Sequence, residues 1–157
     1  MTYSDGGLMK CLEALSGKEI RRIEKKAMRK GAAAIKRQAV SNLKKDVPGS
    51  SRSSGKYSDK LTDAIRSTVY EEGNEIMFKT HIMGTRGKNS GTFRTRFFEK
   101  GTRERNSDGH NRGSIKATNF FSEAVSQSSQ KAYNAINQTF TDEVQKLIDK
   151  KYSEEKI

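Results

Sequence analysis

The sequence has one cysteine, one proline, no tryptophan and two histidines. The lone Cys11 excludes an internal disulfide and fits a reducing compartment. Without a plausible histidine partner, its thiol reads as structural. CxxC and HExxH patterns are absent, so the chain offers no familiar zinc motif. No run approaches the ~18 apolar residues that a membrane-spanning helix needs. The start, MTYSDGGLMKCLEAL, lacks a basic head and a long apolar stretch, so no signal peptide is expected. Apolar residues make up only 32% of the chain. The core must therefore be thin, or completed by neighbouring subunits.

Cationic charge is abundant: 31 Lys and Arg face 19 Asp and Glu, a net of +12. That excess favours a polyanionic partner, whether nucleic acid, an acidic protein surface or a membrane face. At 157 residues the chain reads as one domain, long enough to fold without disulfides or metals.

Four parts follow an N-terminal arm at 1–15. Ser16 and Glu19 have capping-box spacing and open the helical region 16–45. Ile20, Ile23, Ala27, Gly31, Ala34, Ile35, Ala39 and Leu43 then recur at helical spacing, which predicts a helix over 18–45, stopped before Pro48. This helix holds eleven Lys and Arg against two Glu, a net of +9. Residues 47–56, VPGSSRSSGK, read as a flexible Ser/Gly arm. They lack the GxxxxGK[ST] pattern and a leading strand, so they are no phosphate loop.

The middle, 57–116, reads as strands and loops. Residues 61–69 suggest a short turn leading into a strand. Glu72-Gly73-Asn74 is a turn signal, and Ile76, Phe78, Thr80 and Ile82 alternate with Met77, Lys79 and His81, so a hairpin is expected. A Gly-rich basic loop at 84–92 precedes a strand at 94–99. A polar loop at 101–113 and a short strand at 114–116 complete the region. From 84 to 116 the net charge is +6. Asn119 then suits the N-cap of a last helix, 119–152. Its apolar stripe, Phe121, Val125, Ser128, Ala132, Ile136, Phe140, Val144, Leu147, Ile148 and Tyr152, is too long for so small a domain to cover.

Catalytic readings are weak. Asp108, His110 and Asn111 lie close enough to suggest a metal-dependent nuclease, but such a site needs convergent ligands and a general base. Glu99 sits beside Arg96 and Lys100 and reads as an ion-pair partner. Arg94, Arg96, Phe97 and Phe98 interleave basic and aromatic residues as single-strand binders do, although a strand would send them to opposite faces. No enzyme activity and no cofactor are expected. A freestanding nucleic-acid-binding protein and, behind it, a nuclease stand as alternatives.

Three segments in order resemble the head–tail joining proteins of long-tailed bacteriophages, the neck or tail-completion family, also called minor tail components. That family follows a basic N-terminal helix with G-x-L-x-x-S-I, then Y-A-x-x-x-E-x-G-T, then P-F-L-x-x-A at the start of the last helix. Residues 55–65, GKYSDKLTDAI, are similar to the first, with Leu61 and Ile65 in place. Residues 93–102, FRTRFFEKGT, carry Glu99, Gly101 and Thr102 of the second. Residues 119–124, NFFSEA, carry Phe120, Phe121 and Ala124 of the third. The Tyr-Ala and the Pro are missing, and Lys100 stands in the turn.

The resemblance implies an α+β fold, two long helices packed on a small antiparallel sheet with long basic loops. It implies a structural ring of about six subunits around the DNA path, at the head–tail interface of the virion and in the host cytoplasm during assembly. Its partners would be further copies, neighbouring neck, head-completion and tail-tube proteins and packaged double-stranded DNA, and no membrane. Phe97, Phe98, Glu99, Gly101, Thr102, Phe120 and Phe121 would lie at subunit interfaces. Arg86, Lys88, Arg94, Arg96, Arg103 and Arg105 would face the DNA channel or dock on a neighbouring protein.

Overall fold

Two long helices, one at each end of the described chain, frame an α+β fold. The computed structural model describes residues 17–53, 55–84 and 91–154. Cys11, Ser16, Arg86 and Lys88 lie outside them. Helix α1 spans Lys18–Asp46. Glu19 stands in its first turn and Lys44 and Lys45 in its last, the signs that the helix dipole favours. Ile23, Ala27, Gly31, Ala39 and Leu43 of the expected stripe are buried, joined by Ala32. Beyond α1 the chain does not leave as a flexible arm. Val47 N–H donates to the Leu43 carbonyl at 2.9 Å, and Ser50 N–H to the Val47 carbonyl at 3.1 Å. Ser50 is only 1% exposed, so this stretch begins as a packed turn.

A short 3₁₀ turn, Leu61–Ala64, leads into β1, Ile65–Glu72, which pairs antiparallel with β2, Glu75–Ile82. The expected hairpin is present. Its two-residue loop places Gly73 at φ +60, where a side chain would be strained. Ile65, Ser67, Val69 and Glu71 share one face with Ile76, Phe78, Thr80 and Ile82, and this face packs on α1. Ser67 Oγ shares a hydrogen bond with Thr80 Oγ1 at 2.9 Å and donates to the Ala32 carbonyl at 3.4 Å. The opposite face carries Tyr70, Glu72, Glu75 and Met77.

The strand expected at 94–99 is a helix. Thr92–Arg94 forms a 3₁₀ turn, and Thr95–Lys100 continues as α2. The physical reason is tertiary. Thr95 is fully buried and donates its hydroxyl to the Leu61 carbonyl at 2.9 Å. Phe93 and Phe97, four residues apart, meet edge to face at 6.0 Å, a contact that helical spacing makes. Gly101 then ends the helix at φ +70, ψ 179.

The loop expected at 101–113 contains a second hairpin, β3 at Asn106–Ser107 and β4 at His110–Asn111. Asp108 and Gly109 take φ +56 and +75, the two positive values of an Asp-Gly turn. No strand forms at 114–116. Ile115 instead bonds back to Thr102.

Helix α3 runs from Phe120 to Glu154. It lies antiparallel to α1, because Asn42 meets Phe120, Gln38 meets Gln127 and Lys26 meets Glu143. Small residues line this contact: Ala27, Gly31, Ala124, Ser128 and Ala132 are buried. A Cβ on Gly31 would lie 2.6 Å from the Ile136 side chain, so a larger residue would force that side chain to shift. The buried row begins with Phe120 and Ala124, not with Phe121 and Val125 as the stripe suggested. Val125 is 39% exposed and Tyr133 60%.

Candidate assembly site

Leu61 and Ile65, Phe120 and Ala124 form one buried cluster with Ala39 and Leu43 of α1, and Phe98 packs against it. Burying a side chain such as Phe120 contributes about 1.5–3 kcal/mol. Residues from three separate chain segments thus converge at the C-terminal end of α1.

Glu99 joins two of these segments. Glu99 is buried, 8% exposed. Oε2 accepts the Phe121 N–H at 2.8 Å, and Oε1 accepts the Ser122 N–H at 3.1 Å and the Ser122 hydroxyl at 2.6 Å. These N–H groups open α3 and have no partner within it. In return, the Phe98 carbonyl accepts Thr118 N–H at 2.8 Å and Thr118 Oγ1 at 3.0 Å, and the Glu99 carbonyl accepts Asn119 N–H at 3.3 Å. The end of α2 and the start of α3 therefore cap each other. The expected Glu99 ion pair with Arg96 or Lys100 is replaced by a negative charge at a helix N-terminus. Asn119, the expected cap, takes φ +52 and marks the corner.

A second carboxylate performs a like task. Asp59 accepts Gly91 N–H at 2.7 Å and Thr92 N–H at 3.2 Å, which anchors the 3₁₀ turn ahead of α2. Nearby, the Arg94 guanidinium lies 4.4 Å from the Tyr57 ring centroid and donates Nε–H to the Gly91 carbonyl at 3.1 Å. Tyr57, Phe93 and Phe97 stack edge to face in sequence.

The expected interface residues divide accordingly. Phe98, Glu99 and Phe120 are engaged inside the protomer. Gly101 has a positive φ, +70, and a Cβ there would lie 2.9 Å from Ala117 N and Ile115 O. Thr102 donates N–H to the Ile115 carbonyl at 2.8 Å and accepts Ile115 N–H at its hydroxyl at 2.9 Å. Phe97 and Phe121 are half-buried. Phe121 lines a cleft of about 340 Å³ with His81, Arg96 and Lys100. His81 Nδ1 is buried there without a hydrogen-bond partner.

Among the expected channel residues, Arg94 is part of the internal Tyr57 cluster. Arg96 is exposed and reaches the Ile82 carbonyl at 3.4 Å. Arg103 and Arg105 are exposed just before the second hairpin. The nuclease residues do not converge. Asn111 Nδ2 donates to Glu104 at 2.5 Å, and Asp108 accepts the Ser107 hydroxyl at 3.0 Å. Among the described residues no cluster of three or more His, Cys, Asp or Glu could hold a metal ion, and no helix is long and apolar enough to cross a membrane.

Comparison with protein-family models, with curated proteins and with solved structures finds no match to this chain.

A charged groove lies at the other end of the helix pair. Arg22, Lys26, Arg29, Lys146 and Lys150 line a groove of about 600 Å³ between α1 and α3, with Glu19 and Glu143. Glu143 bonds Lys26 at 2.6 Å and Lys146 at 3.1 Å. The hydrogen bonds from these two lysines, with their charge, hold its carboxyl below the usual range. Glu71 is lowered likewise, first by the hydrogen bond from Lys25 and then by the Lys25 charge, with a smaller contribution from Arg21.

Asp59, Thr95 and the Gln38–Asn42–Gln127 hydrogen-bond ladder were not singled out by sequence. Their partners lie at least 32 residues away, except for the Gln38–Asn42 step, so local spacing gave no signal for them.

Proposed function

We propose that this chain is a structural protein of bacteriophage assembly, forming a ring in the neck that joins the DNA-filled head to the tail. One observation carries this reading. The three segments that resemble the family's motifs meet in a single place. Leu61 and Ile65 share a core with Phe120 and Ala124, and Glu99 caps the helix that Phe120 and Phe121 open. The residues that carry the resemblance thus make a mutually dependent junction.

Two further features support the ring. The distal half of α3 keeps Phe140, Val144, Leu147 and Ile148 only half-buried, leaving apolar surface for a neighbour. The cationic surface of α1 suits a channel that tolerates DNA without reading its sequence, since backbone contacts carry no base information. No catalysis is proposed.

In a phage that carries this chain, removing it should yield filled heads and free tails that do not join. Purified protein added to that lysate should restore infectious particles. Normal particles without the chain would refute the proposal.

A further inference from the structure

The two hairpins carry like-charge pairs of opposite sign. In the first, Glu72 and Glu75 face each other across the strands on the side turned away from α1. Both are exposed, and neither has a cationic partner among the described residues. In the second, the pairing of Asn106 with Asn111 continues outward through Arg105 and Arg112, whose N–H donates to the Arg105 carbonyl at 2.6 Å. Arg103, Arg105 and Arg112 are all exposed in the arm that carries this hairpin, whereas Glu104 is taken up by Asn111. Among the described residues no carboxylate pairs with these three arginines. Like charges directly opposite destabilise a hairpin, so each would be relieved by a partner of the other sign.

The two surfaces are rooted far apart on the protomer. Glu71, next to the acidic tip, is held by Arg21 and Lys25 near the start of α1. The arginine arm springs from Thr102 and Ile115, beside the start of α3, which bonds Asn42 near the end of α1. At 1.5 Å per residue these anchor points are roughly 30 Å apart.

We propose that the acidic tip of one copy docks on the arginine arm of the next, a head-to-tail contact between copies of this chain. The contact rests on the ring reading and gives it a named interface, because a heterologous contact between two different surfaces closes into rings or runs on as filaments. Exposed ion pairs are individually weak and screened by salt. Self-association should therefore weaken roughly tenfold or more between low and moderate salt.

The test uses two full-length variants, Glu72→Lys/Glu75→Lys and Arg103→Glu/Arg105→Glu/Arg112→Glu, followed by sedimentation and native mass spectrometry in low salt. Circular dichroism checks that both remain folded, and Glu72→Gln/Glu75→Gln serves as the milder variant if a reversal unfolds. Each reversed variant should be monomeric alone, and an equimolar mixture should assemble, because each supplies the surface the other needs. The Gln variant should weaken association roughly tenfold. Assembly of either reversed variant alone at wild-type strength, or a mixture that stays monomeric, overturns the contact. Rings that persist in both reversed variants overturn the hairpin contact and leave the ring reading standing. Open head-to-tail oligomers that never close support the contact and overturn the ring. A wild-type chain that stays monomeric in low salt overturns both.

Discussion

Glu99 Oε2 accepts the backbone N–H of Phe121 at 2.8 Å, tying the last turn of a six-residue helix to the first turn of a 35-residue one. Ser122 adds two hydrogen bonds to the same carboxylate. Replacing Glu99 with Ala removes the acceptor and leaves buried donors unpaired. The expected loss is about 1–3 kcal/mol of stability. Glu99→Gln should lose less, since it keeps one acceptor oxygen. Urea unfolding measures both, and an Ala variant as stable as wild type would remove the cap from the explanation of this junction.

Gly101 and Gly31 are required for different reasons. At Gly101 the backbone is left-handed and a Cβ would strike Ala117 N and Ile115 O. Gly101→Ala should cost roughly 1–3 kcal/mol, with no rescue by trimming a neighbour. At Gly31 the obstacle is the Ile136 side chain. Gly31→Ala should destabilise, and in the double variant Ile136→Ala, which removes both side-chain atoms nearest to that Cβ, should restore part of the loss. Thermal melts of the four proteins in the cycle decide it, and strictly additive effects at Gly31 and Ile136 would contradict the close approach.

These positions show what the sequence could and could not disclose. Long periodic runs were legible: α1 ends within one residue of its expected terminus, and α3 starts one residue from it. The β1–β2 hairpin was legible from alternation around Gly73. The six residues of α2 were not, because Phe-Phe beside Arg and Thr reads as a strand, and helix formation there depends on distant partners, Leu61 and Phe121. The second hairpin had a visible Asp-Gly signal, masked by the polar composition around it. Glu99 drew attention as a lone carboxylate among aromatics, but its task is set by a helix that begins 21 residues later.

Arg94 and Arg96 looked alike in sequence and differ in structure. Arg94 lies over Tyr57 and bonds Gly91, whereas Arg96 is exposed. Arg94→Ala should lower stability by about 0.5–2 kcal/mol, and Arg96→Ala by less than about 0.5 kcal/mol. Equal effects in chemical denaturation would argue against the Tyr57 contact.

Glu71 and Glu143 set the expected acid response. Both carboxyls are lowered by lysine partners in the fold. Their stabilising contribution is therefore present above the unfolded-chain value, about 4.3, and is lost as pH falls through the lower folded values. Both groups are solvent-accessible, so the effect should be small and should shrink further with added salt. Glu143→Gln should flatten the decline of stability with acid. A variant whose acid profile overlays that of wild type would show that the Lys26–Glu143–Lys146 cluster contributes nothing to folding.

Electron microscopy of the purified full-length protein in low salt, alone and mixed with isolated tails, tests ring formation in the neck most directly. Closed rings of about six subunits, seated on the head-proximal end of the tails, are the predicted result. Particles that remain single subunits in both samples, and never decorate a tail, would contradict it.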